Sequence, residues 1–198
     1  YRRAIDQLDA VPIRGTEGGQ YPFFSPDGQW LGFFTQNALK KVPAEGGPAT
    51  LIAPAGNRFG ASWGPNQTIV FASSGSPDLM SVPATGGTPK VLVTAKSFGG
   101  GSLRWPAWSP DGRAVFLTIF NGGLGAAQIG VYVPETGASR VLLPGANPIV
   151  LAGGALLFGR ASSIWQVPFD TKTFTIGTAP PVPIAQGVQI NTGGLVPA

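Results

Sequence analysis

The chain of 198 residues contains no cysteine and no histidine. Without cysteine, neither disulfides nor thiolate zinc sites can form, and thiols say nothing about the redox compartment. Without histidine, the chain lacks the usual general base, the commonest catalytic metal ligand and the base of Ser-His-Asp and Cys-His nucleophile systems. We therefore expect a non-enzymatic chain that holds neither a metal nor a cofactor.

Charged residues are scarce as well. Thirteen Lys and Arg and nine Asp and Glu give a net charge of +4, and only Arg2-Arg3 and Lys40-Lys41 are adjacent cations. Nucleic-acid binding normally needs a denser basic surface, so we do not expect a nucleic-acid partner.

Long apolar runs are missing too. The best candidate, residues 149–158, is interrupted by Gly153-Gly154 and is too short to cross a bilayer, so no membrane segment is expected. The opening "YRRAIDQLDAVPI" has no charged stretch followed by an apolar one, as a signal peptide would, and it favours a fragment that starts inside a folded unit.

Glycine and proline, by contrast, are abundant, with 30 and 20 residues, yet 43% of the chain is hydrophobic and five residues are tryptophan. This balance favours a packed protein in which Gly and Pro mark turns, rather than a disordered chain. No window keeps a helical apolar spacing free of Gly and Pro, so the chain is predicted to be all-β.

A strand–turn–strand unit recurs about every 40 residues. Its four copies are "PFFSPDGQWLGFF" from Pro22, "ASWGPNQTIVF" from Ala61, "PAWSPDGRAVFL" from Pro106 and the degenerate "PIVLAGGALLF" from Pro148. Asp-Gly between apolar runs predicts a two-residue hairpin turn in the first and third copies. In the second copy Asn66-Gln67 takes its place, although Gln tolerates positive φ poorly.

A second hairpin follows in each unit, marked by Val-Pro and then, in most copies, a glycine-containing turn. The copies are "LKKVPAEGGPATLI", "LMSVPATGGTPKVLV", "IGVYVPETGASRVLL" and "IWQVPFDTKTFTIG". The proline is expected at the end of the third strand, where no ladder hydrogen bond is lost. Four strands recurring at this period predict the blades of a β-propeller.

These motifs resemble TolB-like β-propeller repeats. The stretches "AIDQLDAVPIRGTEGGQYPFFSPDG" and "LKKVPAEGG" are most similar to propellers attached to bacterial membrane-anchored serine/threonine protein kinases. The resemblance implies a single propeller domain over residues 1–198 with an extracytoplasmic (periplasmic or secreted) location, although a cytoplasmic one stays open. Its predicted blades are residues 1–20 (partial), 21–53, 60–94, 104–144, 147–187 and 188–198 (partial).

The aspartates of the Ser-Pro-Asp-Gly turns are candidate acids or ligands, but a turn also prefers Asp at that position. Asp27 and Asp111 belong to different blades and should not converge as a catalytic pair. The tryptophan and phenylalanine residues are expected to pack between the sheets rather than to form a stacking platform.

The candidate site lies in the loops that join each outermost strand to the next blade and each second strand to the third. In a propeller these loops emerge on one face. Arg and aromatic residues there are typical of binding hot spots, while ordinary solvated loop residues are the alternative. The predicted ligand- or partner-binding residues are Asn57, Arg58, Phe59, Lys96, Phe98, Arg104 and Asn121.

The resemblance to known propellers implies two candidate functions. The first is a binding or scaffold module that recognises a protein or small-molecule ligand, as in the sensor part of a bacterial membrane kinase. The second is the gating propeller of a prolyl oligopeptidase-type hydrolase whose catalytic domain lies elsewhere. Because an open arc of blades leaves apolar edges, we also expect a homo-oligomer or closure of the terminal strands on each other.

Overall fold

The computed structural model describes residues 1–3, 6–56, 58–188, 190–191 and 194–195. Within them the chain forms four antiparallel sheets of four or five strands, each with its first four strands in meander order, and one two-stranded hairpin. The predicted all-β propeller is confirmed. The strands of the first two blades are β1 Gln20–Phe24, β2 Trp30–Phe34, β3 Ala38–Pro43, β4 Thr50–Pro54, β5 Arg58–Trp63, β6 Thr68–Ser73, β7 Leu79–Pro83 and β8 Lys90–Val93.

The third and fourth blades follow the same plan. Their strands are β9 Ser102–Trp108, β10 Val115–Phe120, β11 Gln128–Val133, β12 Ala138–Pro144, β13 Ala146–Leu151, β14 Ala155–Arg160, β15 Ser163–Asp170, β16 Thr175–Ile176 and β17 Val182–Gln186. A separate two-stranded hairpin is formed by β18 Ile190–Asn191 and β19 Gly194–Leu195. Two short 3-10 helices, Ala95–Phe98 and Leu124–Ala126, lie in connecting loops.

The Ser-Pro-Asp-Gly turn is longer than the two-residue turn predicted from Asp27-Gly28. The Gly28 N–H donates to the Ser25 carbonyl oxygen, so Pro26 and Asp27 are the central residues. Only Gly28, with φ of 69°, needs the left-handed region. The prediction was wrong because Pro at the first central position favours a type I turn, after which Gly28 relaxes the chain into β2.

The Val-Pro expectation holds where Pro43 and Pro83 end β3 and β7, but it is wrong in the fourth blade. There β15 continues through Pro168 to Asp170. The outer edge of this sheet is split into β16 and β17, which pair with β15 on either side of Pro168. The missing N–H of Pro168 therefore falls where the neighbouring strand is interrupted.

The hydrophobic core lies between adjacent blades. Three clusters of fully buried side chains fill the successive junctions, centred on Phe34 and Phe71, on Val70 and Leu117, and on Phe116. The innermost strands β1, β5, β9 and β13 pack against one another in this order. Trp63 and Trp105 are buried within these contacts, as predicted for the aromatic residues.

Each innermost strand contains a bulge. The bulge lies three residues before the apolar residue near the end of the strand, which is Phe24, Trp63, Trp108 or Val150. Tyr21, Gly60, Trp105 and Asn147 occupy this position and all have positive φ, between 47° and 90°. Because all four blades share it, we attribute this strained conformation to the fold, in which the bulge twists the strand beside the propeller axis.

Residues 1–20 were predicted to form part of an earlier blade. In the described part they form a single antiparallel bridge, between Arg2 and Val11. Ile13 then packs on Leu31, Phe33 and Val42 and covers this side of the first blade.

Candidate functional site

The loops named as the candidate site lie at one end of the blades. This loop face comprises, among the described residues, 35–37, 55–56, 74–78, 94–101, 121–127, 145 and 161–162. The Ser-Pro-Asp-Gly turns lie at the opposite end of the same strands.

Arg104 and Phe59, two of the predicted site residues, are in contact. They occupy equivalent positions on β9 and β5, one residue before the bulge. The Arg104 guanidinium carbon lies 3.9 Å from the centre of the Phe59 ring and 3.7 Å from that of Phe120. Two aromatic rings from neighbouring blades thus hold the planar cation by cation–π contacts.

The charge of Arg104 is not neutralised within the described part of the chain, where no acidic side chain pairs with it. Its Nε donates a hydrogen bond to the Ser102 hydroxyl over 3.1 Å. The side chain is half-buried, and burial lowers the pKa of the guanidinium. Arginine nevertheless stays charged, so its terminal nitrogens remain available to an acceptor from outside the chain.

Phe120 completes this site but was not among the predicted residues. It is the last residue of β10 and makes an edge-to-face contact with Trp105, with ring centres 6.4 Å apart. Trp105 is buried beside Ala127 and Ala146. The only sequence signal for Phe120 is its place just before the predicted loop residue Asn121.

The remaining predicted residues do not converge on Arg104. Phe98 is half-buried and packs over Gly130, where an added Cβ would lie 2.7 Å from the phenylalanine ring. Lys96 is exposed on the 3-10 helix, and Asn121 is exposed next to Gly101. Asn57 lies outside the described residues.

For the neighbouring Arg58, only the backbone is described, and it pairs with Ser73. The cluster defined by Phe59, Arg104 and Phe120 is called the Arg104 clamp below.

Phe98 belongs to the segment that closes the junction between the second and third blades. The Ala95 N–H donates to the Asp78 carboxylate over 2.7 Å, and the Leu103 N–H donates to the Pro77 carbonyl oxygen over 2.8 Å. The first bond ties the 3-10 helix to the second blade, and the second bond ties β9 of the third blade to the second blade.

The corresponding junctions on either side are open at the loop face. A cleft of about 420 Å³ separates the first and second blades, and one of about 330 Å³ separates the third and fourth.

The turn aspartates perform the structural role expected of them. Asp27 accepts a hydrogen bond from the Ser25 hydroxyl over 2.5 Å, and Asp111 accepts one from Ser109 over 2.6 Å. The hydrogen bond from Ser25, followed by that from the Gln29 N–H, holds the pKa of Asp27 below its usual value. Among the described residues, no group of three or more acidic side chains is placed to hold a metal ion.

No protein-family model and no curated protein sequence matches the chain. Solved structures do. TolB from Acinetobacter baumannii is 19% identical with a TM-score of 0.63, over 84% of this chain and 43% of that one. An auxiliary nutrient binding protein from Bacteroides thetaiotaomicron is 14% identical with a TM-score of 0.65, over 94% of this chain and 47% of that one.

A structure from a study of two prolyl endopeptidases is 15% identical with a TM-score of 0.56, over 87% of this chain and 30% of that one. The chain therefore spans less than half the length of each of these three structures. At such identities the likeness shows the fold alone, and that fold is the β-propeller found in TolB. No helix among the described residues has the length and apolar character needed to cross a membrane.

Proposed function

We propose that this chain is a non-enzymatic binding module that recognises a protein or small-molecule partner through its loop face. The observation that carries the proposal is the Arg104 clamp, in which a half-buried guanidinium lies between Phe59 and Phe120 without an acidic partner in the described chain. Arg and aromatic residues are the types most enriched at the energetic centres of interfaces.

The geometry of the clamp suits recognition. Two aromatic rings lie within 4 Å of the guanidinium carbon and Nε is bonded to Ser102, which leaves the terminal nitrogens as the groups that can bind an incoming acceptor. A cation held rigidly in this way loses little conformational entropy when it binds. A partner that supplies an acceptor would restore the hydrogen bonds that partial burial has taken from the guanidinium.

An alternative role for Arg104 is packing between the second and third blades. The two roles differ in their consequences, because a packing residue affects stability and a binding residue affects capture of a partner. Arg113 provides a control at the opposite end of the blades. It too lies near an aromatic ring, with its guanidinium carbon 5.3 Å from the centre of the Phe174 ring.

The test is capture of partners from an extract of the source cells by the immobilised chain, with each captured species quantified for every variant. We expect a partner whose capture falls at least tenfold with Arg104→Gln and with Phe120→Leu, while Arg113→Gln leaves it unchanged. Melting curves report on folding separately. Capture that is unaffected by both clamp variants, in folded proteins, would refute the clamp as the binding site.

We also infer an extracytoplasmic location, and attachment to a membrane-anchored serine/threonine kinase as its sensor part. The location is supported by the fold shared with TolB and with a nutrient binding protein. The kinase attachment is supported by the sequence stretches around the first blade, which resemble kinase-attached propellers. The gene that encodes the chain provides the test. A kinase domain and a membrane-spanning segment upstream of these blades are expected, and their absence would remove the sensor role.

The gating propeller of a prolyl oligopeptidase-type hydrolase is a second candidate. The likeness to the prolyl endopeptidase structure favours it, since this chain spans 30% of that protein. Here the same gene would encode an α/β-hydrolase domain with a Gly-x-Ser-x-Gly nucleophile turn. Hydrolysis by the isolated chain, with contamination excluded, would contradict both candidates.

A further inference from the structure

A cleft of about 330 Å³ opens on the loop face between the third and fourth blades. Its walls combine loops of both blades, and most of them are small or apolar. We call it the Arg160 cleft, and its principal lining residues are Leu124, Gly125, Pro144, Gly145, Arg160 and Ser162.

Among the described residues that line the cleft, Arg160 alone has a charged side chain. It is the last residue of β14 and projects from the same side of that strand as Phe158, two residues earlier. The guanidinium carbon lies 4.3 Å from the centre of the Trp165 ring and 5.7 Å from that of Phe158. In the described part of the chain no acidic side chain pairs with Arg160.

The backbone around Arg160 is fixed. The Trp165 indole N–H donates to the Arg160 carbonyl oxygen over 3.0 Å. Ala161 and Ser162, with φ of 47° and 58°, form the two-residue turn that joins β14 to β15. The cation therefore projects from a rigid hairpin end on an aromatic surface.

Comparison of the three junctions singles out this cleft. The junction between the second and third blades is closed by the 3-10 helix that carries Phe98. The cleft between the first and second blades is open, but its polar side chains are the neutral Asn37, Ser73 and Ser76. Among these three junctions, as far as the described residues show, only the Arg160 cleft combines an accessible volume with a cation that has no acidic partner.

We propose that the Arg160 cleft binds a small monocarboxylate with an apolar body, a site beyond the partner recognition proposed for the Arg104 clamp. Its volume lies near the lower end of the range for small-molecule sites, about 300–1,000 Å³. A guanidinium pairs with a carboxylate through two parallel hydrogen bonds. Because the cleft offers one positive charge and apolar walls, a single negative charge is matched, whereas a dianion would keep one charge uncompensated.

The test uses benzoate as the probe, with benzamide as its neutral isostere and phenyl phosphate as a dianion. Binding is measured by calorimetry and by the NMR shift of the Trp165 indole N–H, assigned with Trp165→Phe. We expect saturable binding of benzoate that Arg160→Gln weakens at least tenfold. Arg113→Gln, which removes a cation held near the Phe174 ring at the opposite end of the blades, leaves benzoate affinity unchanged.

Gly125→Leu provides a second variant that keeps the cation. An added Cβ at Gly125 meets no atom within 4 Å, so the larger side chain can fill the cleft without a clash at its base. We expect Gly125→Leu to weaken benzoate binding as well, so the proposal can still be tested if Arg160→Gln fails to fold. Equal affinity for benzamide, tighter binding of phenyl phosphate, or benzoate binding that survives Gly125→Leu would each overturn the proposal.

Discussion

Lys41 of the first blade donates a hydrogen bond from its Nζ to the carbonyl oxygen of Ala84 in the second blade, over 2.8 Å. The same ammonium lies 4.7 Å from the centre of the Trp30 ring and 5.9 Å from that of Trp63. One partly buried side chain thus joins two sheets that share no backbone ladder. Such a contact helps to hold the two blades together.

Replacing Lys41 by Met keeps most of the volume but removes the charge and the hydrogen bond. We expect the free energy of unfolding to fall by about 1–2 kcal/mol, because the Ala84 carbonyl oxygen loses its hydrogen-bond donor and both cation–π contacts are removed. Urea unfolding followed by tryptophan fluorescence measures the loss. Lys40→Met is the control, because successive residues of β3 point to opposite faces; a loss equal to that of Lys41→Met would refute the inter-blade role.

Gly28 and Gly112 occupy the same position in two Ser-Pro-Asp-Gly turns, with φ of 69° and 70°. An added Cβ at Gly28 meets no atom within 4 Å, whereas at Gly112 it would lie 2.4 Å from Pro65 of the second blade. Gly28→Ala should cost about 1 kcal/mol for the backbone conformation alone. Gly112→Ala should cost about 1–3 kcal/mol more, because two blades must move apart. The two free energies of unfolding are compared by thermal unfolding. If Gly28→Ala and Gly112→Ala lower them equally, the blades can move apart at Gly112 without cost, which would contradict this prediction.

The blade pattern was predictable because the first three units repeat a local signal, a Pro-containing turn between apolar runs. The fourth blade was harder. Val167-Pro168 looks like the other strand ends, yet the proline lies inside β15, opposite the gap between β16 and β17. That gap depends on which strand pairs beside it, and this pairing is not a local property of the sequence.

The candidate site was predictable only in part. Phe59 and Arg104 stood out as an aromatic and a cation in predicted loops, but their contact depends on the register between two blades. Phe120 ends a buried strand and so looked like core. Arg160 was missed because the turn after it, Ala161-Ser162, has neither the Gly nor the Asn that usually marks a two-residue hairpin.

Association of the chain with a second copy stays a prediction, and the fourth blade offers a surface for it. Ile149, Leu157, Gln166 and Val182 form one cross-strand row on the side facing away from the third blade. Ile149 and Val182 are 48% and 52% exposed. Three of the four side chains in this row are apolar, and exposed apolar side chains on a sheet face favour contact with another chain.

Light scattering over a dilution series tests this association. We expect a mass above that of the monomer, which Ile149→Gln lowers, whereas Val91→Gln, at a residue 52% exposed on the second blade, does not. A monomer at every concentration would favour closure of the terminal strands instead. That alternative expects protection of Ile5, which lies outside the described residues, and of Val11, which is 55% exposed here.

Asp27 makes stability depend on pH in a direction that its hydrogen bonds determine. The Ser25 hydroxyl and then the Gln29 N–H hold the pKa of Asp27 below its ordinary value of 3.8, which applies in the unfolded chain. The carboxylate therefore stabilises the fold fully above pH 3.8, and this contribution is lost as the pH falls through the lowered value. Asp27→Asn imitates Asn66 of the second blade, whose side-chain oxygen accepts from the Thr68 N–H without titrating. We expect urea midpoints measured from pH 6 down to pH 2 to fall less steeply for this variant than for the wild type. An unchanged slope would mean that Asp27 does not contribute to acid unfolding.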